Sequence, residues 1–133
     1  MKYYLDTNII IYALKGQFPD LPEHFRRIAP QSIVIPTVVM AEIEFGAQKS
    51  HDYQTTIRLY RQFTDAFIKI PFSEKASSVY GLIRNELQSS GNLIGPNDLM
   101  IAATVMSEDG ILVTHNIKEF TRVNGLRMED WTE

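Results

Sequence analysis

Short apolar runs alternate along the chain with longer stretches in which apolar residues recur every three or four positions. The runs are continuous rather than alternating with polar residues, which is typical of strands buried on both faces. They predict strands over residues 2–5, 33–35, 67–70, 111–113 and 126–128, the last at a sheet edge. Residues 1–133 are therefore predicted to form a single α/β domain. Helices would cover both faces of a central parallel sheet of about five strands, in three α/β/α layers.

Helical patterns fill the segments between the predicted strands. They predict helices over residues 8–14, 23–28, 37–49, 52–66, 73–89 and 96–106, with a loop over 16–22. Thr37 and Ser73 stand where a capping hydroxyl is favoured, and Pro96 fits the first turn of the last helix. No linker, repeat or low-complexity segment divides the chain, which agrees with one domain.

Composition narrows the class of protein without indicating an activity. The chain is 44% hydrophobic and 22% charged, as ordinary globular domains are. It contains no cysteine, which excludes disulfides and thiolate metal sites. No apolar stretch approaches the roughly 20 residues of a membrane span, and Asp6 interrupts the first run too early for a signal peptide. We therefore expect a cytoplasmic protein with no membrane partner.

The charge balance leaves nucleic-acid chemistry open. The formal net charge is −3 and the pI is about 5.6, so bulk positive charge does not predict nucleic-acid binding. A nucleic-acid enzyme with an acidic, metal-binding pocket and basic residues only at its rim remains compatible with this balance.

Three carboxylates stand where the pattern calls for apolar residues. Asp6 closes the run Tyr3–Leu5, while Glu42 and Asp98 interrupt the apolar stripes of two predicted helices. Burying an unpaired polar group costs on the order of 2–7 kcal/mol, and burying a charge costs more. Three such residues, far apart in sequence, predict carboxylates gathered around a divalent cation.

Asp6 has two interpretations of about equal weight. It follows the first predicted strand, and parallel sheets bind ligands at the carboxyl ends of their strands. Thr7 and Asn8 add a hydroxyl and an amide beside it. Alternatively, Asp6 only caps the following helix by accepting hydrogen bonds from its free N–H groups.

Glu42 and Asp98 have clearer patterns. Val38, Glu42 and Phe45 lie within about 60° of one another on a helix, so Glu42 is predicted to share an inward-facing stripe. Asp98 has apolar residues three, four and seven positions after it, which also predicts an inward side chain. The alternative for Glu42 is an edge position with its carboxylate in water. The alternative for Asp98 is stabilisation by the helix dipole, worth roughly 0.3–1 kcal/mol, which does not explain the side it faces.

A fourth polar position follows the strand predicted over 111–113. Thr114 and Asn116 again stand at the carboxyl end of a strand, and Glu119 lies one turn further on. His115 has no metal-binding partner, because His24 and His51 are placed in a loop and at a helix end, so we interpret it as a surface or capping group. A site of oxygen atoms alone favours Mg²⁺ or Mn²⁺ over Zn²⁺.

The predicted metal site indicates phosphoryl chemistry. Mg²⁺ and Mn²⁺ sites are completed by water and substrate phosphate, which fits attack of an activated water on a phosphodiester. No Walker motif, glycine-rich dinucleotide turn, Gly-x-Ser-x-Gly or cysteine nucleophile offers a competing chemistry.

Four sequence blocks carry a resemblance to a known family. They are YLDTNIIIYAL at the start, IPTVVMAEIEFGAQKS around Glu42, GNLIGPNDLMIAA around Asp98 and LVTHNIKEF near the end. In this order, and over essentially the whole chain, they resemble PIN-domain ribonucleases, and more closely the VapC-type toxins of bacterial type II toxin–antitoxin pairs. The resemblance implies a PIN-like parallel sheet with helices on both faces. It also implies an Mg²⁺- or Mn²⁺-dependent endoribonuclease.

The resemblance also implies roles for individual residues. Asp6, Glu42 and Asp98 would form the acidic metal site. The family's fourth acid usually falls at the position of Asn116, and this departure puts a second metal ion in doubt unless Glu119 substitutes. Supporting or water-positioning roles would fall to Thr7, Asn8 and Thr114.

The implied partners are a second copy of the chain, a cognate VapB-type antitoxin that blocks the acidic pocket, and a structured RNA. That RNA would be a tRNA or, alternatively, a ribosomal RNA loop. We assign substrate binding to Arg84, on the helix before the Asp98 block, and to Lys118, although each also fits a solvated surface charge. Other basic residues that fit the same role are Arg26, Arg27, Lys49 and Arg122.

Other classes fit less well. A phosphotransfer receiver domain needs an acidic pair near the first strand and a lysine where Thr114 and His115 stand. A dehalogenase-type phosphatase needs a second aspartate where Asn8 stands. The stronger alternative is a PIN-domain protein that acts in RNA maturation or RNA binding with reduced or no activity, and Asn116 favours it.

Overall fold

The computed structural model describes residues 1–133 and contains five strands and seven α-helices. The strands are β1 Tyr3–Leu5, β2 Ile33–Pro36, β3 Ile68–Ile70, β4 Ile111–Val113 and β5 Arg127–Glu129. The helices are α1 Thr7–Lys15, α2 Leu21–Arg27, α3 Thr37–Lys49, α4 Tyr53–Thr64, α5 Glu74–Ser89, α6 Pro96–Ser107 and α7 Ile117–Phe120, with a short 3₁₀ turn at Pro30–Ser32. All five predicted strands are present, within one or two residues of their predicted bounds.

The strands form one parallel sheet in the order β3-β2-β1-β4-β5. β1 is central: Leu5 pairs with Val113 of β4 on one side, and Tyr4 pairs with Val34 of β2 on the other. The chain moves outward from β1 in one direction and later returns to the opposite side through β4. Such a reversal opens a crevice at the carboxyl ends of the strands, and Asp6 is the first residue beyond β1 there.

A single apolar core fills the space between the sheet and its helices. Every residue of β2 is buried, and Leu5, Ile9 and Leu112 are completely so. Burying each side chain of this size contributes about 1.5–3 kcal/mol. The core confirms the predicted α/β/α arrangement, and it leaves the polar residues at the strand ends as the exceptions that need explanation.

Some helix boundaries differ from the predicted ones. α2 begins at Leu21, so Pro22 lies in a first helical turn, where its missing N–H is no loss. The predicted cap at Thr37 is wrong, because Pro36 is the N-cap residue of α3 and no side chain caps that helix. Ser73 does cap α5, by accepting from the Ala76 N–H. None of the helices combines the length and the apolar character needed to cross a membrane.

Candidate active site

Asp6 is a buried carboxylate at the carboxyl end of β1, with a relative exposure of 5%. Its Oδ1 accepts a hydrogen bond from the Ile9 N–H at 3.0 Å, which caps α1. Its Oδ2 accepts from the Thr114 hydroxyl at 2.5 Å, across the boundary between β1 and β4. The capping contact is confirmed for Oδ1, while Oδ2 faces the end of β4 and ligand binding by Asp6 stays a prediction.

Glu42 reaches the same end of the sheet, but not for the predicted reason. The buried face of α3 consists of Val39, Ile43 and Ala47, whereas Phe45 is 65% exposed. The stripe through Val38, Glu42 and Phe45 is therefore not the core face of the helix, and that prediction is wrong. Glu42 is half-buried beside the core face.

Two neutral donors hold the Glu42 carboxylate. The Thr7 hydroxyl donates to Oε1 at 2.5 Å, and the Asn97 amide donates to Oε2 at 3.3 Å. Asn97 was not predicted as a site residue, since an exposed amide beside Asp98 carries no pattern signal. Thr7, predicted as a supporting group, makes its contact with Glu42, while Asn8 is exposed.

Asp98 lies half-buried in the first turn of α6. The residues after it at helical spacing, Ile101, Ala102 and Val105, are buried as expected. The apolar surface of α6 is wider than predicted, because Leu99 is buried too. Burial on nearly every side fixes α6 against the sheet, so its first turn presents Asp98 toward the other carboxylates.

The fourth position combines a neutral amide with a carboxylate. The Asn116 N–H donates to Thr114 Oγ1 at 2.9 Å, and the Asn116 amide donates to Glu119 Oε2 at 3.2 Å. Glu119 is near enough to Asp98 for its charge to act on it. We call Asp6, Glu42, Asp98 and Glu119 the acidic cluster.

Burial and mutual repulsion change the acidity of this cluster. Burial raises the pKa of Asp6 to about 6, against hydrogen bonds from Thr114 and Ile9 that lower it, and the charges of Asp98 and Glu42 raise it further. Burial also raises the pKa of Asp98 to about 6, with contributions from Glu42 and Glu119. Both carboxylates would therefore be stabilised in their ionised form by a nearby cation.

No basic side chain compensates the acidic cluster. The ion pairs of the protein are Arg26–Glu23, Arg61–Glu44, His115–Asp130 and Arg127–Asp109, and none includes a member of the cluster. As the side chains stand, no three histidine or acidic groups are arranged to hold a metal ion. The oxygen donors nevertheless suit a hard divalent cation.

An open groove of about 730 Å³ borders the cluster on the Glu42 side. Its walls include Thr7, Glu42 and Asn97, together with Phe45 and Lys49 further from the sheet. The Lys49 ammonium lies 5.2 Å from the centre of the Phe45 ring. This groove gives solvent, and any ligand, access to Glu42.

The two residues assigned to substrate binding lie on the surface. Arg84 is exposed on α5, where its guanidinium donates to the Tyr80 hydroxyl at 2.8 Å. It lines a shallow depression with Gly81 and Asn85 that contains no member of the acidic cluster. Lys118 is exposed on α7, one residue before Glu119. Substrate binding by Arg84 and Lys118 stays a prediction.

Several known proteins resemble this chain in both sequence and fold. The PIN domain family matches residues 3–126. Ribonuclease VapC2 of Haemophilus influenzae is 37% identical over 131 residues, 98% of each chain. The tRNA(fMet)-specific endonuclease VapC of Shigella flexneri is 35% identical over 132 residues, 99% of each chain. In the crystal structure of VapBC2 from Rickettsia felis bound to a promoter DNA fragment, one chain matches with a TM-score of 0.92 and 36% identity. That match covers 98% of this chain and 99% of the other. The chain therefore belongs to the PIN-domain family, among its VapC ribonucleases.

Proposed function

We propose that the protein is a metal-dependent endoribonuclease that acts as the toxin of a toxin–antitoxin pair. The observation that carries this proposal is the acidic cluster at the carboxyl end of a parallel sheet, which no basic side chain neutralises. A cluster of this kind is costly for the folded protein unless a cation joins it. The relatives named as ribonucleases support RNA as the substrate class.

Asp6, Glu42 and Asp98 would hold Mg²⁺ or Mn²⁺ in this proposal. The bound ion would supply water activation and charge neutralisation at the phosphodiester. Thr114 keeps the Asp6 carboxylate in place, while Thr7 and Asn97 orient Glu42. Because these donors are neutral, they orient the carboxylates without cancelling the negative charge that attracts the cation.

The substrate we propose is a structured RNA, with tRNA as the first candidate and ribosomal RNA as the second. The relative from Shigella flexneri is named a tRNA(fMet)-specific endonuclease, which supports the first candidate. Because the net charge of the protein is −3, binding of RNA depends on local clusters of positive charge and not on the overall charge. Lys118, beside Glu119, and Arg84 are the residues we assign to phosphate contacts.

The partners we propose are a VapB-type antitoxin and a second copy of the chain. Matching structures are VapBC complexes from Rickettsia felis and nontypeable Haemophilus influenzae, which supports the antitoxin. Phe45 on α3 and Leu82 on α5 are exposed apolar side chains, and such residues are available for a protein interface. A growth assay tests the toxin role: expression should arrest growth, and co-expression of the antitoxin or Asp6→Ala should restore it.

A second candidate function rests on Asn116. Since an amide stands where the family usually has its fourth acid, the protein could act in RNA maturation or RNA binding with reduced or no cleavage. The hydrogen bond between Asn116 and Glu119 favours the nuclease, because it holds the Glu119 carboxylate beside position 116, where the family's fourth acid would stand.

Cleavage of total RNA by the purified protein separates the two candidates. The reaction is run with Mg²⁺, with Mn²⁺ and with EDTA, beside Asp6→Ala, and the cut ends are mapped by sequencing. Discrete cuts that need metal and vanish in the variant support the nuclease, and their position identifies the RNA. Folded, antitoxin-free protein that leaves RNA intact with both metals would favour the binding protein.

A further inference from the structure

The last residues of the chain pack against the loop that carries Thr114. β5 pairs with β4 so that Val113 lies opposite Glu129, and the Thr114 N–H donates to the Glu129 carbonyl at 3.0 Å. Asp130 follows directly. It therefore lies at the same carboxyl edge of the sheet as Asp6, one strand away from Thr114.

Asp130 binds both the loop and its own tail. Its Oδ2 lies 3.0 Å from His115 Nδ1, and its Oδ1 accepts from the Thr132 hydroxyl at 2.6 Å and from the Thr132 N–H at 3.0 Å. Thr132 Oγ1 is also 2.9 Å from His115 Nδ1. Because an ionised carboxylate only accepts hydrogen bonds, His115 carries its proton on Nδ1 toward Asp130. The three side chains form one closed hydrogen-bonded group.

Trp131 fixes this group to the body of the protein. Its ring is 1% exposed, it stacks on His24 at an interplanar angle of 5°, and it contacts Tyr3 and Phe25. The ring N–H donates to Glu129 Oε1 at 3.0 Å. Chain ends fray unless they are tied down, and burial of Trp131 ties this end to β1 and α2.

The connection continues from His115 to the acidic cluster. His115 is flanked by Thr114, whose hydroxyl donates to Asp6, and by Asn116, whose N–H donates to Thr114 Oγ1. The position of the 114–116 loop therefore sets the position of the donor on Asp6. We propose that Asp130 and Thr132 are positioning residues, which hold this loop through His115 and so keep Thr114 on Asp6. This inference rests on the proposed nuclease function of the Asp6 site.

Conservative variants test the group without removing the buried tryptophan. Thr132→Val removes the hydroxyl while keeping the shape of the side chain. Asp130→Asn replaces one carboxylate oxygen by an NH2 donor, so the side chain can no longer accept from His115 with one oxygen and from Thr132 with the other. We expect each to lower kcat about 3–10-fold, the equivalent of one hydrogen bond, with KM unchanged. Thr132→Ser should keep most of the rate. Combining Asp130→Asn with His115→Ala should cost no more than the larger single effect, because both act through one contact.

The matched control is Asp109→Asn, which neutralises a carboxylate that pairs with Arg127 at the opposite end of β5, with 2.7 Å between the paired atoms. Asparagine tolerates the left-handed backbone at this position, where φ is 55°. The variant should leave kcat unchanged. Equal losses of kcat in Asp109→Asn and Asp130→Asn would reduce the effect to general destabilisation and overturn the proposal. So would a rate in Thr132→Ser as low as in Thr132→Val.

Amide exchange measured by NMR tests the proposal without any cleavage assay. Asp130→Asn should accelerate exchange at Thr114 and Asn116 about 3–10-fold while leaving the amides of α5 unchanged. Unchanged exchange at both residues would overturn the proposal. If wild-type protein cuts no RNA while exchange responds as expected, the nuclease function fails and the loop contact stands.

Discussion

The carboxylates at the two ends of the sheet differ in their burial and in the charge of their partners. At the amino end, Asp109 is exposed and pairs with Arg127, which starts β5. At the carboxyl end, Asp6 is buried and Asp98 is half-buried. The side-chain oxygens of Asp6 and Glu42 accept hydrogen bonds from two hydroxyls, one amide and one backbone N–H. None of the protein's ion pairs includes a member of the acidic cluster. This difference supports the proposal that a ligand neutralises the charge of the acidic cluster.

The largest expected effect comes from removing a carboxylate of the cluster. Asp6→Ala and Asp98→Asn should each lower RNA cleavage by at least about 100-fold, because loss of even an outer-shell partner of a metal typically costs 10–100-fold. Asp109→Ala, at the other end of the sheet, should leave the rate unchanged. Steady-state rates measured beside circular dichroism spectra check this. Unfolding of Asp98→Asn would count against the metal-site assignment. Asp6→Ala also removes the cap of α1, so a loss of about 0.5–2 kcal/mol in its folding stability is expected from that change alone.

The second effect is on stability as a function of pH in EDTA. The pKa of Asp6 is raised to about 6 in the folded state, so the folded protein binds this proton more tightly than the unfolded chain does. The resulting stability is present below about pH 4 and is lost as pH rises through 6. We expect the free energy of unfolding to fall by about 1–2 kcal/mol between pH 4.5 and 7.5.

Urea unfolding curves at the two pH values measure this difference. Asp6→Asn should weaken the pH dependence without abolishing it, because it removes one of the two carboxylates whose pKa is raised and leaves Asp98 to titrate. Asp109→Asn should leave the pH dependence as in the wild type. A wild-type stability that rises over the same interval would contradict the electrostatic account of the site.

The third effect concerns the neutral donors on Glu42. Thr7→Val and Asn97→Ala each remove one hydrogen bond to its carboxylate. Such a bond contributes about 0.5–1.5 kcal/mol, so we expect losses of about 2–10-fold in cleavage rate. Thr7→Ser serves as the control that keeps the hydroxyl. If Thr7→Val cuts RNA as fast as Thr7→Ser, orientation of Glu42 has no part in the reaction.

The smallest effect should come from the fourth position. Asn116→Ala leaves Glu119 without the amide that holds it. Because this contact is half-buried, we expect the rate of RNA cleavage to fall about 2–5-fold. Asn116→Asp places a carboxylate at this position, and should lower the Mg²⁺ concentration needed for half-maximal cleavage. A Mg²⁺ requirement that rises in Asn116→Asp would mean that added charge repels Glu119 without helping a cation.

Three of the five strands, β1, β2 and β4, could be predicted from the sequence because each is a short, continuous apolar run. Asp6, Glu42 and Asp98 were found as breaks in those patterns, and the structure brings their charges within reach of one another. The predicted orientation of Glu42 is nevertheless wrong, because Glu42 lies beside the buried face of α3 and not on it. Angular spacing shows which residues share a face, but only packing shows that Val39 and Ile43 lie on the face that α3 buries.

Contacts between distant segments could not be predicted in this way. Asn97 meets Glu42 from a separation of 55 residues, and Thr114 meets Asp6 from 108. Neither donor interrupts a hydrophobic pattern, since a threonine or an asparagine is ordinary at a strand or helix end. Thr114 is predicted as a supporting residue, but its bond to Asp6 is not. No pattern in the sequence points to Trp131 and the residues around it, because a single aromatic residue carries no periodicity.

The central claim is that the acidic cluster binds a divalent cation, and calorimetric titration of Mn²⁺ into the wild type, Asp6→Ala and Asp109→Ala tests it most directly. We predict binding to the wild type, loss of that binding in Asp6→Ala and an unchanged affinity in Asp109→Ala. Folded wild-type protein that takes up no Mn²⁺, or an affinity that Asp6→Ala leaves intact, would contradict the account.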